Sequence, residues 1–115
     1  MLIRSQNKEL LVNFNVSAGI EIEEWNTKTV VTSYITGCSY LLGEYSTKAK
    51  AMKVLDMIQE AYAEYKITCA FLTGFTGHRI IAESNDIRVN GFGELVKNFK
   101  KNMVFQMPDD SDVEG

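Results

Sequence analysis

The stretch Leu42-Gly43-Glu44-Tyr45-Ser46-Thr47-Lys48-Ala49-Lys50-Ala51-Met52-Lys53-Val54-Leu55-Asp56-Met57-Ile58-Gln59-Glu60-Ala61-Tyr62 decides the fold, because a strand pattern stops there and a helix pattern starts. Tyr40 to Tyr45 is rich in aromatic and aliphatic residues, which suit a pleated, half-buried surface. Beyond it, Ala51, Val54, Leu55, Ile58, Ala61, Tyr62 and Tyr65 recur at i, i+3, i+4 and i+7, the single apolar stripe of an amphipathic helix. Ser46 stands where an N-cap belongs, since its hydroxyl can accept from an otherwise unpaired first-turn amide. The spacing predicts a helix from about Thr47 to Tyr65 whose stripe lies on a sheet. At ~1.5–3 kcal/mol for each large buried side chain, that contact should hold helix and sheet together. Leu55→Asp is the single change expected to unfold the chain.

On the N-terminal side, Leu2 to Ser5 and Leu10 to Phe14 flank the polar turn Gln6-Asn7-Lys8-Glu9, which predicts a β-hairpin. Ile20-Glu21-Ile22-Glu23 alternates with period 2, a strand with one wet face, and Trp25 anchors its end. After the turn Asn26-Thr27-Lys28 comes Thr29 to Thr36, dense in β-branched residues. Gly37-Cys38-Ser39 then leads back into Tyr40 to Tyr45. Beyond Lys66, Ile67 to Thr73 and Arg79 to Glu83 flank Gly74-Phe75-Thr76-Gly77-His78 as a further hairpin, a helix continuing through Phe71 being the competing reading. Ser84-Asn85-Asp86 reads as the next turn. Phe92, Leu95, Val96 and Phe99 give a short helix over Gly93 to Lys100, and Met103 to Met107 a last strand stopped by Pro108. The expected fold is therefore α+β, an antiparallel sheet of about five to seven strands packed on one long helix, with a short second helix. Residues 1–108 form one domain and 109–115 a mobile acidic tail.

A chain of 115 residues, 45% hydrophobic and 23% charged, has the composition of a globular domain. No apolar run is long enough for a signal peptide or a membrane span, so the expected location is the cytoplasm. Cys38 and Cys69 are expected as free thiols there. The net charge of −3 is concentrated at one end. Asp109, Asp110, Asp112 and Glu114 account for it, leaving 12 basic against 11 acidic residues in the body. That distribution argues against a uniformly acidic mimic of DNA and leaves room for local basic patches.

Residues with chemical potential are few. His78 is the lone histidine and has no sequence neighbour beyond Arg79 with which to share a proton. Cys38, Cys69 and His78 lack the short paired spacings of a zinc site, so no metal and no cofactor is expected. Distant carboxylates such as Asp56 and Glu83 could still meet in the fold. Gly74 and Gly77 beside Arg79 could form a phosphate-holding nest, although they match no nucleotide fingerprint, and a hairpin turn is the simpler reading. For a bound nucleotide, Phe71 and Phe75 would be the floor and Arg79 the clamp.

The helix carries Lys48, Lys50 and Lys53 first and Glu60 and Glu64 last, the reverse of what its dipole favours. A positive helix start suits an acidic partner or a phosphate; a solvated face with snorkelling lysines is the alternative. Lys97, Lys100 and Lys101 form a second basic cluster around Phe99, a thin footprint for nucleic acid. Met52 and Met57 lie off the apolar stripe, where methionine can adapt to a partner or fill a gap.

Three separated segments carry a resemblance: Ile3-Arg4-Ser5-Gln6-Asn7-Lys8 with Leu11-Val12-Asn13, Leu42 to Thr47 running into Lys50 to Gln59, and Val104-Phe105-Gln106-Met107-Pro108-Asp109-Asp110. Together they resemble a family of small uncharacterised proteins of phages, prophages and mobile elements of Gram-positive bacteria. The resemblance brings no catalytic or binding residues with it, and residues Lys66 to Asn102 form a longer insert than the family pattern. What it implies is a setting in which small non-enzymatic proteins block host defence, for example as anti-CRISPR inhibitors of a Cas nuclease. The functional expectation is a phage-encoded interaction protein that inhibits a bacterial defence protein. Its contacts would be Lys48, Lys50, Lys53, Met57, Lys97, Lys100 and Lys101. The alternative is a small nucleotide- or nucleic-acid-binding protein using Phe75, His78 and Arg79.

Overall fold

The computed structural model describes residues 1–73, 97 and 100–114. In chain order, β1 (Leu2–Arg4) and β2 (Leu11–Asn13) form the expected hairpin, and a 3₁₀ turn at Phe14–Val16 leads to β3 (Gly19–Trp25), β4 (Lys28–Ile35) and β5 (Cys38–Tyr45). Helix α1 (Lys48–Thr73) follows, and β6 (Val104–Gln106) precedes a last 3₁₀ turn at Asp110–Asp112. Polar residues close the first hairpin. Ser5 Oγ donates to Asn7 Oδ1 at 2.6 Å and accepts from Leu10 N at 3.0 Å.

Among the described residues the strands make two sheets of three rather than one sheet of five to seven. One has the order β2-β1-β6, and its β1·β6 pair is parallel, with Ile3 opposite Phe105. The other is the antiparallel meander β3-β4-β5. Local periodicity identifies strands but not their partners, and β6 joins β1 from about a hundred residues away. Two-residue turns close the meander. Thr36 and Gly37 both have positive φ, so the turn is Thr36-Gly37, and Cys38 already belongs to β5 instead of a loop.

Register sorts the meander into two faces. Ile20, Ile22, Val31 and Ile35 point inward to α1, while Glu21, Glu23, Trp25, Thr32, Tyr34 and Leu41 share the outer face. Between Leu41 and Gly43, opposite Thr32 and Val31, Leu42 is an extra residue. This bulge turns its side chain into the core, where it is buried.

The predicted stripe is the face α1 buries. Ala51, Val54 and Ile58 lie in the core, with Leu55, Ala61, Tyr62 and Tyr65 packed at its margin. Phe14 meets Tyr62 with ring centroids 4.7 Å apart. The helix runs through Thr73, eight residues past the expected end, so Ile67 to Thr73 is helical and the competing reading holds. No glycine or proline occurs between Lys48 and Thr73 to stop it. Thr68, buried in that added part, accepts from Asn102 Nδ2 at 2.9 Å. No helix among the described residues is long and apolar enough to cross a membrane. The hairpin arm Arg79 to Glu83 and the turn at 84–86 lie outside the described residues, as does the predicted helix 93–100 apart from the helical Lys97 and Lys100.

Candidate binding surface

The three resembling segments meet at the start of α1, and Gln6 joins them. Its backbone N–H donates to Leu42 O at 2.7 Å, and its side-chain oxygen accepts from Glu44 N at 2.9 Å. Its side-chain amide donates to Glu44 O and to Pro108 O. One glutamine thus stitches the bulged strand β5 to β1 and to the chain after β6. Tyr45 reinforces the junction by donating its hydroxyl to Pro108 O at 2.8 Å. Its ring lies over Gly43, where a Cβ would come within 3.1 Å of the Tyr45 ring and hydroxyl, so the small residue makes room for that bond.

The C-terminal segment, read from the sequence as a mobile tail, here packs on the helix start. Asp110 accepts from Ser46 N at 2.8 Å and from Ser46 Oγ at 3.1 Å, and pairs with Lys50 Nζ at 3.5 Å. Val113 is buried in the core, and Lys53 Nζ donates to Glu114 O. Ser46 is therefore a donor to Asp110 rather than the helix cap. Thr47 is the cap, its Oγ1 accepting from Lys50 N at 3.1 Å.

These contacts account for two of the three lysines at the helix start, Lys50 and Lys53. The first turn of α1 has no acidic residue of its own, and Asp110 brings a carboxylate there from the end of the chain. The Ser46 N–H, together with the Ser46 hydroxyl and Lys50, holds the Asp110 carboxyl below its ordinary pKa. Burial, with Asp109 and Asp110 nearby, pushes the Tyr45 phenol upward. A phenol whose folded-state pKa lies above its ordinary 10.0 contributes stability that is complete below 10.0 and is lost as pH rises from there toward the higher folded-state value. Tyr45→Phe should cost about 1 kcal/mol near neutrality, since Pro108 O keeps its bond from Gln6. In denaturant titrations that cost should shrink between about pH 8 and about pH 11. A cost unchanged over that range would mean that the phenol is not held neutral by the fold.

Of the proposed contact residues, Lys50 and Lys53 are thus tied to the chain's own C-terminal segment, whereas Lys48 and Met57 are exposed on α1. Lys97, Lys100 and Lys101 are helical and exposed. Phe75, His78 and Arg79, with Gly74 and Gly77, lie outside the described residues, as does Glu83. Cys38 is exposed on β5 and Cys69 is half-buried on α1, with no disulfide between them. Among the described residues no three metal-ligating side chains come together.

What contact-site reasoning from the sequence missed is the outer face of β3-β4-β5. Trp25, Tyr34 and Leu41 are 41%, 43% and 37% exposed there, beside Glu21 and Glu23. Trp25 Nε1 donates to Glu23 Oε2 at 2.7 Å, fixing the indole along the strand. The Glu23 carboxyl, by hydrogen bonding and repulsion, raises the pKa of Glu21. Beneath them Thr32 is fully buried, and its hydroxyl has no hydrogen-bond partner among the described residues. On the opposite side of the β3 edge, Phe14, Ile20, Leu55, Ile58 and Tyr62 line an apolar cleft of about 350 Å³ against α1. The period-2 Ile-Glu alternation was the signal for this face, because it placed two carboxylates side by side on the wet side of a strand. The chain matches no protein-family model, no curated protein and no solved structure.

Proposed function

We propose that this protein is a non-enzymatic interaction module of phage or mobile-element origin that binds and inhibits a bacterial defence protein. The observation that carries the binding part is the outer sheet face, where Trp25, Tyr34 and Leu41 are exposed among carboxylates. Aromatic side chains of this kind dominate interface energetics because they bury large area with little loss of freedom. The phage setting is supported by the resemblance of the three segments.

The test combines capture with a phenotype. Tagged protein expressed in a Gram-positive host should recover a stoichiometric defence component and should protect phage on a strain carrying that defence. Trp25→Ala with Tyr34→Ala should weaken capture by at least about thirtyfold, the size of a hot-spot loss of ~2 kcal/mol. Failure to recover a partner, together with no protection of phage, would overturn the reading.

A further inference from the structure

We propose that β3 is a docking edge for a partner segment in which apolar residues alternate with lysine or arginine, and that this segment adds to the sheet as a fourth strand. The inference rests on the reading of this chain as a protein-binding module and specifies the chemistry of what it binds. The two edges of the meander are not equivalent. On β5, the Leu42 bulge interrupts the ladder, and Gln6 takes the Leu42 carbonyl and the Glu44 amide. On β3, pairing among the described residues is with β4 alone, over an unbroken register from Gly19↔Tyr34 to Trp25↔Lys28. A regular strand of seven residues whose second side is unshared among the described residues is a template for another strand.

The side chains around this edge state what kind of strand would fit. An incoming strand presents alternate residues to opposite faces. Those facing inward would meet the apolar cleft of Phe14, Ile20, Leu55, Ile58 and Tyr62. Those facing outward would lie beside Glu21 and Glu23, with Trp25 at the far end. Carboxylates next to an exposed indole suit lysine or arginine, which gain charge pairing and can lie over the ring. A second copy of this chain is a poor occupant. Antiparallel pairing of β3 with itself, centred on Ile22, would set Glu21 opposite Glu23 twice on one face, and like charges directly opposite are destabilising. The acidic alternation thus works against self-pairing while favouring a basic complement.

The probes are blocked heptapeptides titrated into the intact protein and followed by amide NMR and hydrogen exchange. A peptide of alternating lysine and valine should bind and slow exchange of the alternate β3 amides that point away from β4. Its glutamate counterpart should bind at least about tenfold more weakly. Methylating the lysine peptide's backbone nitrogens along one edge should abolish binding, while methylating the other edge should leave it intact. The double substitution Glu21→Lys with Glu23→Lys lies on the exposed face and should reverse the preference between the two peptides. Any of four results would overturn the proposal: no binding by the lysine peptide; equal binding by the glutamate peptide; indifference to both methylation patterns; or protection, in the free protein, of the alternate β3 amides that point away from β4. Capture of a host partner by the doubly substituted protein, at undiminished yield, would remove this docking mode and leave the interaction module standing.

Discussion

Val54→Asp should abolish the cooperative unfolding transition and leave a chain without fixed tertiary structure. Val54 is completely buried in the stripe of α1, in the same core as Val31, Leu42 and Tyr45. A carboxylate there has no water to solvate it and no basic partner in that core cluster. Substitutions of this type cost upwards of ~4 kcal/mol, a large part of the ~5–15 kcal/mol that holds a small domain together. The measurement is thermal and denaturant unfolding followed by near-ultraviolet circular dichroism. A sigmoidal transition within about 1 kcal/mol of wild type would show that α1 is not the structural centre of the fold. Leu55, chosen from the sequence for this role, is only partly buried and lines the open cleft beside β3. Its replacement by Asp should therefore be milder than that of Val54, because the new carboxylate can turn to water.

The contrast between Val54 and Leu55 shows how far a one-dimensional pattern reaches. The stripe from Ala51 to Tyr65 was legible because helical spacing alone determines which residues share a face. Which member of the stripe sits deepest depends on where the sheet ends, and that was not legible. The hairpin at Gln6 to Glu9 and the alternation in β3 were likewise readable, because turn chemistry and period 2 are local. The division into two sheets was not, since β1 takes its parallel partner from residues 104–106 and no nearby residue records that choice. Ser46 was read as the cap, yet the cap is its neighbour Thr47. Asp110, distant in sequence, draws Ser46 out of that role by engaging its amide and hydroxyl. In the candidate surface, the acidic alternation and Trp25 at its end were visible, but cross-strand register was needed to place Trp25, Tyr34, Glu21 and Glu23 on one face. The helix lysines suggested an open anion site because the C-terminal segment that engages Lys50 and Lys53 is some sixty residues away.

A chain ending at Asp109 tests that last contact and should be destabilised by about 2 kcal/mol, lowering the melting temperature by about 8 °C for a domain of this size. The main loss is Val113, whose side chain is buried in the core and whose removal opens it to water. The Tyr45 bond to Pro108 remains, because Gln6 still holds that carbonyl. Removal of Asp110 leaves the Ser46 amide and Lys50 without their carboxylate partner at the positive end of α1. The acid limb gives an independent signature. A carboxyl held below its ordinary value of 3.8 contributes stability that is present above that pH and lost as pH falls through the folded value. The difference in stability between full-length and shortened chains should therefore narrow on acidification below about pH 4. Lys50→Ala completes the argument as a double-mutant cycle. It should destabilise the full chain, where Lys50 Nζ also donates to Asp110 O at 2.9 Å, and should be nearly neutral in the shortened one. Equal effects in the two backgrounds would show that Lys50 does not act through the C-terminal segment, which would return the basic helix start to the set of candidate partner contacts.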